Sequence, residues 1–172
     1  MLDQFDKETL EKMKYTLKET KDNEMAFVLC KRRSDGKITH GQPTCVGSYC
    51  EVDSSESKCK SGDEDIGSFH THIDNTKASI EDLISTYDQD IICVGSKSLI
   101  PFSKSIECYS VIDKRRKLYA IDLVEDYNKI YNDLSRKIVE KKITIPQANI
   151  IKEKEYDKTI KNLLPLFHKF KV

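Results

Sequence analysis

The sequence predicts a single-domain α/β protein with a mixed β-sheet flanked by helices. Its length of 172 residues suits one domain with a hydrophobic core. Its composition, 38% apolar and 34% charged, allows such a core beneath a charged surface. The apolar pattern also changes along the chain from helical to strand-like and back. The predicted order is a helix, several strands, a helix, further strands and two helices, which is typical of a sheet covered by helices.

The first third of the chain predicts one helix and two extended segments. Apolar residues recur at helical spacing through residues 1–20. Residues 24–32 are apolar and strand-like, and a turn at residues 34–37 closes this strand. A second extended segment is predicted around residues 38–52. The polar stretch at residues 54–65 is predicted as a loop.

The middle of the chain predicts further strands around one helix. Residues 66–72 form a short strand candidate, and a helix is predicted over residues 79–89. The nearly continuous apolar run at residues 90–96 is typical of a buried strand. Residues 105–112 and 117–120 are predicted as two strands joined by a turn.

From Ile121 onward the pattern becomes helical. Apolar residues within residues 123–138 follow the spacing of a long amphipathic helix. A last helix is predicted around residues 155–170, with a kink at Pro165. We therefore assign residues 1–120 to a core. Residues 121–172 then provide two additional C-terminal helices that pack on or extend the same domain.

Hydropathy and charge restrict the location and the partners. No apolar run approaches the roughly 20 residues of a membrane span, and the N-terminus lacks a signal-peptide core. We therefore expect a cytoplasmic protein with no membrane partner.

Charge is unevenly distributed along the chain. Residues 1–112 carry 14 basic and 20 acidic side chains, whereas residues 113–172 carry 15 basic and 9 acidic side chains. The basic run at residues 114–117 predicts a solvated hairpin or loop, with a phosphate or acidic partner as the alternative. Zero net charge and the lack of interleaved aromatic and basic residues argue against nucleic acid.

The six cysteines have no C-x-x-C pair and no secretion signal, which argues against an extracellular disulfide framework. Three lie in strand-like apolar runs and are predicted as small core residues: Cys30, Cys93 and Cys108. The others lie in a loop-rich stretch, where a disulfide and a structural metal remain alternatives: Cys45, Cys50 and Cys59.

A metal-binding site is predicted at His70 and His72. Alternate residues of a strand project to the same face, so both imidazoles can reach one point. Imidazole nitrogen suits zinc, and a catalytic zinc site usually has a third protein ligand. Asp82 can supply it, because it lies in the first turn of the predicted helix that follows. The sequence therefore predicts one Zn²⁺ bound by His70, His72 and Asp82.

Two further residues complete a hydrolytic site. Amide hydrolysis needs a base that takes a proton from water and returns it to the leaving amine. Glu24, at the start of the first strand, is the candidate. Ser79 is the candidate donor to the oxyanion. The alternative for Ser79 and Asp82 is structural, since S-x-x-D at a helix start resembles a capping box.

These residues, in this order, resemble the JAMM (MPN+) metalloprotease signature. In that family a distant Glu precedes H-x-H, a spacer and S-x-x-D. Here these are Glu24, His70-Thr71-His72 and the segment from Ser79 to Asp82. The resemblance covers roughly residues 5–112. It implies a cytidine-deaminase-like core, a catalytic zinc, and hydrolysis of isopeptide bonds to ubiquitin or ubiquitin-like proteins.

The sequence departs from this signature at two points. Ile73 stands where the family usually has proline, and the spacer before Ser79 has six residues instead of seven. The second hypothesis is therefore an MPN-like scaffold that keeps the fold and acts as an interaction module without catalysis.

Overall fold

The computed structural model describes residues 2–20, 24–42, 45–46, 57–73, 78–85, 89–99 and 102–172. It shows an α/β fold with a mixed sheet and flanking helices, so the predicted fold class is confirmed at this level. The strands are β1 (Met25–Lys31), β2 (Ile38–His40), β3 (Cys45–Val46), β4 (Glu64–Thr71), β5 (Ile91–Leu99), β6 (Phe102–Val111) and β7 (Phe167–Lys171). The α-helices are α1 (Lys7–Glu19), α2 (Ile80–Ser85), α3 (Lys114–Val139) and α4 (Ile145–Leu163).

The sheet runs in the order β2-β1-β4-β5-β6-β7, and β3 also pairs with β1. Neighbouring strands are antiparallel except for β4 and β5, which are parallel. Parallel strands need a crossover, and α2 lies in the connection between these two. The end of β4 and the start of α2 are therefore held close together, at the centre of the sheet.

The hydrophobic core has two parts, one on each side of the sheet. The α1 face is the side on which α1 packs, and its buried residues include Met13, Leu17, Phe27, Leu29, Phe69, Cys93 and Cys108. The α2–α4 face is the opposite side, covered by the other helices, and its buried residues include Ile80, Leu83, Ile92, Val94, Tyr109, Val124 and Leu163. Alternation along β4 puts Phe69 on the α1 face and His70 on the α2–α4 face.

The prediction of a strand at residues 117–120 is wrong, because these residues belong to α3. Asp113 caps this helix, since its Oδ1 accepts a hydrogen bond from the Arg116 amide at 2.9 Å. The basic run at residues 114–117 therefore forms the first turn of a helix, not a hairpin or loop. Among the described residues, no helix combines the length and the apolar character needed to cross a membrane.

The last helix begins earlier than predicted and ends earlier too. Thr144 and Gln147 form a capping box, and Pro146 lies in the first turn of α4. The helix ends at Leu163, and a short 3-10 turn containing Pro165 leads into β7. β7 pairs with β6, so residues 167–171 are a strand of the main sheet. The predicted division at residue 120 falls inside α3.

The cysteines correct a further expectation. Cys30, Cys93 and Cys108 are buried as predicted, but each forms a disulfide. Cys93 pairs with Cys108 across the β5–β6 register, and Cys30 pairs with Cys59. Cys59 therefore has a partner in a strand, not in its own loop. Cys50 and the side chain of Cys45 lie outside the described residues.

Candidate metal centre

His70 and His72 lie at the end of β4, which neighbouring elements hold from both sides. His70 lies opposite Ala26 of β1 and Val94 of β5. The His72 amide donates a hydrogen bond to the Gly95 carbonyl at 2.8 Å. The strand end is thus fixed by backbone pairing, and both imidazoles project from the α2–α4 face.

Thr71, between the two histidines, points to the opposite side and is fully buried. Its hydroxyl accepts hydrogen bonds from the Met25 amide at 3.0 Å and from the Thr20 hydroxyl at 2.9 Å. These contacts join the ends of α1, β1 and β4, so they limit rotation of the strand end that carries the histidines.

Asp82 reaches the histidines from the first turn of α2. Its Oδ2 accepts a hydrogen bond from the Ser79 amide at 2.7 Å, and its own amide donates to the Ser79 hydroxyl oxygen at 3.0 Å. The structural alternative, a capping box, is therefore present. Asp82 Oδ1 nevertheless lies 2.8 Å from His70 Nε2. Capping and contact with the histidines are compatible, because each mainly uses a different carboxylate oxygen.

The potential ligand atoms of three side chains converge at this point. His70 Nε2 and His72 Nε2 are 3.1 Å apart, and His72 Nε2 lies 3.4 Å from Asp82 Oδ2. One ligand atom from each of the three residues lies within 4.8 Å of the others. The three side chains are 14%, 12% and 13% exposed, so the cluster is shielded but reachable from solvent.

The donor set fits a zinc ion. Four ligands placed tetrahedrally at about 2.0–2.1 Å from zinc lie about 3.3 Å from one another. His70 Nε2 lies 2.8 Å from Asp82 Oδ1 and 3.1 Å from His72 Nε2, somewhat short of that value. The 3.4 Å contact of His72 Nε2 is with the other carboxylate oxygen, Asp82 Oδ2. Two imidazole nitrogens and one carboxylate oxygen also leave a fourth position for water, as in catalytic sites. The same donors can bind other divalent transition metals, so zinc is favoured by the ligand types and is not selected by these distances.

Electrostatics keep Asp82 ionised. Burial raises the pKa of its carboxyl, but the hydrogen bond from His70, the electrostatic effect of the two imidazoles and the hydrogen bond from the Ser79 amide together outweigh burial and lower the pKa to about 2. The carboxylate therefore carries its charge at neutral pH, as a metal ligand must.

Glu24 and Ser79 flank the cluster. Glu24 directly precedes β1 and is half-buried. The β1–β4 register pairs Ala26 with His70, so two further residues along the same register would place Glu24 opposite His72. Ser79 precedes α2 and is also half-buried, and its hydroxyl oxygen accepts the Asp82 amide. The hydroxyl hydrogen then points away from that amide and can be donated elsewhere. Residues 74–77 of the shortened spacer lie outside the described residues.

Neither a comparison with models of known protein families nor a search of curated proteins found a match to this chain.

A second polar group lies on the same face of the sheet and was not predicted from the sequence. Val94 pairs with Glu107 of β6, so Glu107 occupies the same cross-strand row as His70, two strands or about 10 Å away. Its carboxylate accepts hydrogen bonds from the Tyr109 hydroxyl at 2.7 Å and from the Lys169 ammonium at 2.8 Å. The sequence pattern could have predicted it, because Glu107 and Tyr109 alternate with apolar residues along a strand that is otherwise buried.

Proposed function

We propose that this protein is a zinc-dependent hydrolase of peptide or isopeptide bonds, of the JAMM type. The observation that supports the proposal is that one potential ligand atom from each of His70, His72 and Asp82 lies within 4.8 Å of the others. His70 and Asp82 are twelve residues apart in the sequence. A helix cap needs only Ser79 and Asp82. It does not require two imidazoles to approach the same carboxylate.

His70, His72 and Asp82 would hold the metal. When bound, zinc supplies Lewis acidity, which lowers the pKa of a water to about 7 and polarises a carbonyl. The two neutral imidazoles add no charge and the carboxylate adds one, so this ligand set leaves the site positive toward an incoming carbonyl oxygen. Pairing of β4 with β1 and β5 keeps both imidazoles oriented before substrate arrives.

Glu24 would act as the general base and then as the general acid. Its carboxylate takes one proton from the attacking water and later gives it to the amine that leaves, which must be protonated to depart. Proton transfer by a positioned carboxylate typically contributes about 10²–10⁴ to the rate.

Ser79 would donate its hydroxyl hydrogen to the carbonyl oxygen as negative charge develops there. The Asp82 amide fixes the hydroxyl oxygen as an acceptor, which orients the donor hydrogen outward without a further reorganisation. Loss of one such donor typically costs about 10²–10³ in turnover.

The proposed substrate is a ubiquitin-like modifier joined to a lysine, as the resemblance implies. The competing proposal, an inactive MPN-like scaffold, is favoured by the six-residue spacer and by Ile73 in place of proline. The two proposals differ in metal content: the enzyme binds about one zinc per chain, and the scaffold folds without it.

The decisive experiment measures zinc content and cleavage of a ubiquitin-like fusion by the wild type, Glu24→Gln and Glu81→Gln. Glu81 is the matched control because it is an exposed acid next to Asp82. We expect Glu24→Gln to keep zinc and lose about 10²–10⁴ of turnover, while Glu81→Gln keeps both. A folded wild type that binds no zinc and cleaves nothing would contradict the proposal in favour of the scaffold. Undiminished turnover in Glu24→Gln would remove Glu24 from the mechanism.

A further inference from the structure

The α2–α4 face contains a cavity of about 200 Å³, separate from the metal ligands. It lies where α2, α3 and α4 meet the end of β6 and the start of β7. Its walls are mostly apolar and include Leu83, Val111, Val124, Leu163 and Phe167. A cavity of about 150 Å³ with similar walls can hold benzene, so this one has room for a small ring or a short alkyl chain.

One end of the cavity carries a positive charge. Lys117 lines it, is half-buried, and forms no ion pair within the part of the chain that the structure describes. Partial burial removes some hydration from the ammonium, and an anion or hydrogen-bond acceptors can replace the lost contacts with water. The residues preceding it add to the positive potential: Lys114 and Arg115 are exposed, and Arg116 is paired with Asp113 at 2.8 Å.

The other end is polar and carries the negative charge of a carboxylate. Glu125 and Asn128 also line the cavity, and both belong to α3. Eight residues of helix separate Glu125 from Lys117, which corresponds to about 12 Å along the axis. A carboxylate beside Lys117 would therefore be well separated from Glu125, and a chain extending from it would lie along the apolar walls.

We propose that this cavity binds a medium-chain fatty acid, with its carboxylate paired to Lys117 and its alkyl chain against Val124, Leu163 and Phe167. The charge of Lys117 selects an anion over a neutral or cationic amphiphile. The volume selects a single short chain over a lipid with two long chains. The site does not depend on the proposed hydrolase activity, so either can fail without the other.

The test adds octanoate, 1-octanol or octylamine to the full chain. Binding of each probe is measured by isothermal titration calorimetry and by changes in amide chemical shifts. We expect octanoate to shift resonances of residues along the cavity, including Leu83 and Val124, and to bind more tightly than 1-octanol. A half-exposed ion pair accounts for a difference of about two- to fivefold. Octylamine should bind more weakly than both.

Two variants and a control locate the site. Lys117→Gln should bring octanoate affinity down to that of 1-octanol, while 1-octanol binding is unchanged. Ala120→Leu, which adds volume inside the cavity, should weaken both probes. Lys114→Gln is the matched control, because it removes a charge from the same basic run outside the cavity lining. Thermal unfolding of each variant checks that it is folded.

The proposal is overturned if octanoate and 1-octanol bind the wild type equally, or if Lys117→Gln and Lys114→Gln weaken octanoate equally. It is also overturned if anionic vesicles bind the protein and octanoate does not, since the basic run would then act as a membrane-surface contact without the cavity.

Discussion

The two faces of the sheet differ in composition. The α1 face is closed by one helix and filled mainly by side chains that are apolar or disulfide-bonded, such as Phe27, Phe69 and the Cys93–Cys108 pair. Its buried polar groups include threonine hydroxyls, such as that of Thr71. The α2–α4 face is covered by three helices and contains the candidate metal centre, the buried carboxylate of Glu107, and a cavity of about 200 Å³. Within the described ranges of the chain, the same strands therefore present a core without charged side chains on one side and ionisable side chains on the other.

This difference indicates a division of roles between the faces. Tight apolar packing contributes most to stability, whereas polar clusters and cavities reduce it and are retained where a function needs them. We expect substitutions on the α1 face to change stability without changing metal affinity, and we expect changes in metal affinity only from substitutions on the α2–α4 face. The following predictions test this comparison.

The largest effect on stability is expected from Phe27→Ala on the α1 face. Phe27 is fully buried and its ring lies 4.9 Å from that of Phe69. Removal of a buried phenyl ring typically costs about 3–5 kcal/mol in the free energy of unfolding. Urea denaturation measures this loss, and zinc affinity of the folded protein should match the wild type. A large drop in zinc affinity with little loss of stability would break the comparison.

The next effect concerns the Cys93–Cys108 disulfide. The two cysteines are separated by 15 residues, and closure of such a loop stabilises a fold by about 3 kcal/mol in the chain-entropy account. The double variant Cys93→Ala/Cys108→Ala should therefore unfold at lower urea and still bind zinc. Cys30→Ala/Cys59→Ala is the comparison for the second disulfide, whose cysteines are separated by 29 residues, and it should also unfold at lower urea. Equal stability of the wild type with and without reductant would contradict a stabilising role of the disulfides.

On the α2–α4 face, Asp82→Asn should act mainly on metal binding. The amide keeps the size of the side chain and one hydrogen-bond acceptor for the Ser79 amide, but it is a poor zinc ligand. We expect zinc affinity to fall by more than about 100-fold, since even outer-shell changes cost 10–100-fold. Competition with a chelator measures it. Unchanged zinc affinity would show that Asp82 caps its helix and is not a zinc ligand.

The smallest effect, and a pH-dependent one, is expected at Glu107. Burial raises the pKa of its carboxyl, but hydrogen bonds from Lys169 and Tyr109 and the charges of Lys169 and Lys171 outweigh burial and lower it. A lowered pKa in the fold means that ionised Glu107 stabilises the protein above the ordinary glutamate pKa of about 4.3. That contribution is lost as the pH falls through the folded value.

Glu107→Gln should therefore cost about 1–2 kcal/mol at pH 7, and the difference from the wild type should shrink below about pH 4. Urea denaturation across this pH range measures it. Glu153→Gln, an exposed acid on α4, is the control and should show no such trend. A difference that grows as the pH falls would contradict the direction of the shift.

Much of the fold could be predicted from periodicity. The helix in the first 20 residues, the strands near residues 24–32, 66–72, 90–96 and 105–112, and the helix after Ser79 all have counterparts in the structure. Their apolar patterns are strong because each element buries one face or both. The errors lie after Ile112. Leu118 and Tyr119 are exposed, so the apolar side chains that suggested a strand at residues 117–120 are not core residues, except for the partly buried Ala120.

The C-terminal strand was missed for a different reason. Residues 167–171 have the sequence FHKFK, which is compatible with the end of an amphipathic helix as well as with an edge strand. Pro165 stops the helix, but only pairing with β6 makes the following residues a strand. The disulfides are a similar case, since six cysteines allow many pairings and the strand register selects which sulfur atoms meet.

The cytoplasmic location remains a prediction. Disulfides such as Cys30–Cys59 and Cys93–Cys108 are typical of oxidising compartments, although intracellular proteins of hyperthermophiles also contain them. Thiol alkylation of the protein taken directly from its host would show which situation applies.

The sequence by itself determined the elements near the site and the chemical types of its residues, because His-x-His spacing and strand alternation are local properties of the chain. Only the tertiary structure decided that Asp82 turns one oxygen toward His70 while it caps its own helix, and that Glu107 joins the same face from another strand. These contacts depend on the parallel β4–β5 pairing and on α2, which lies in the connection between these two strands. No local pattern specifies such long-range geometry.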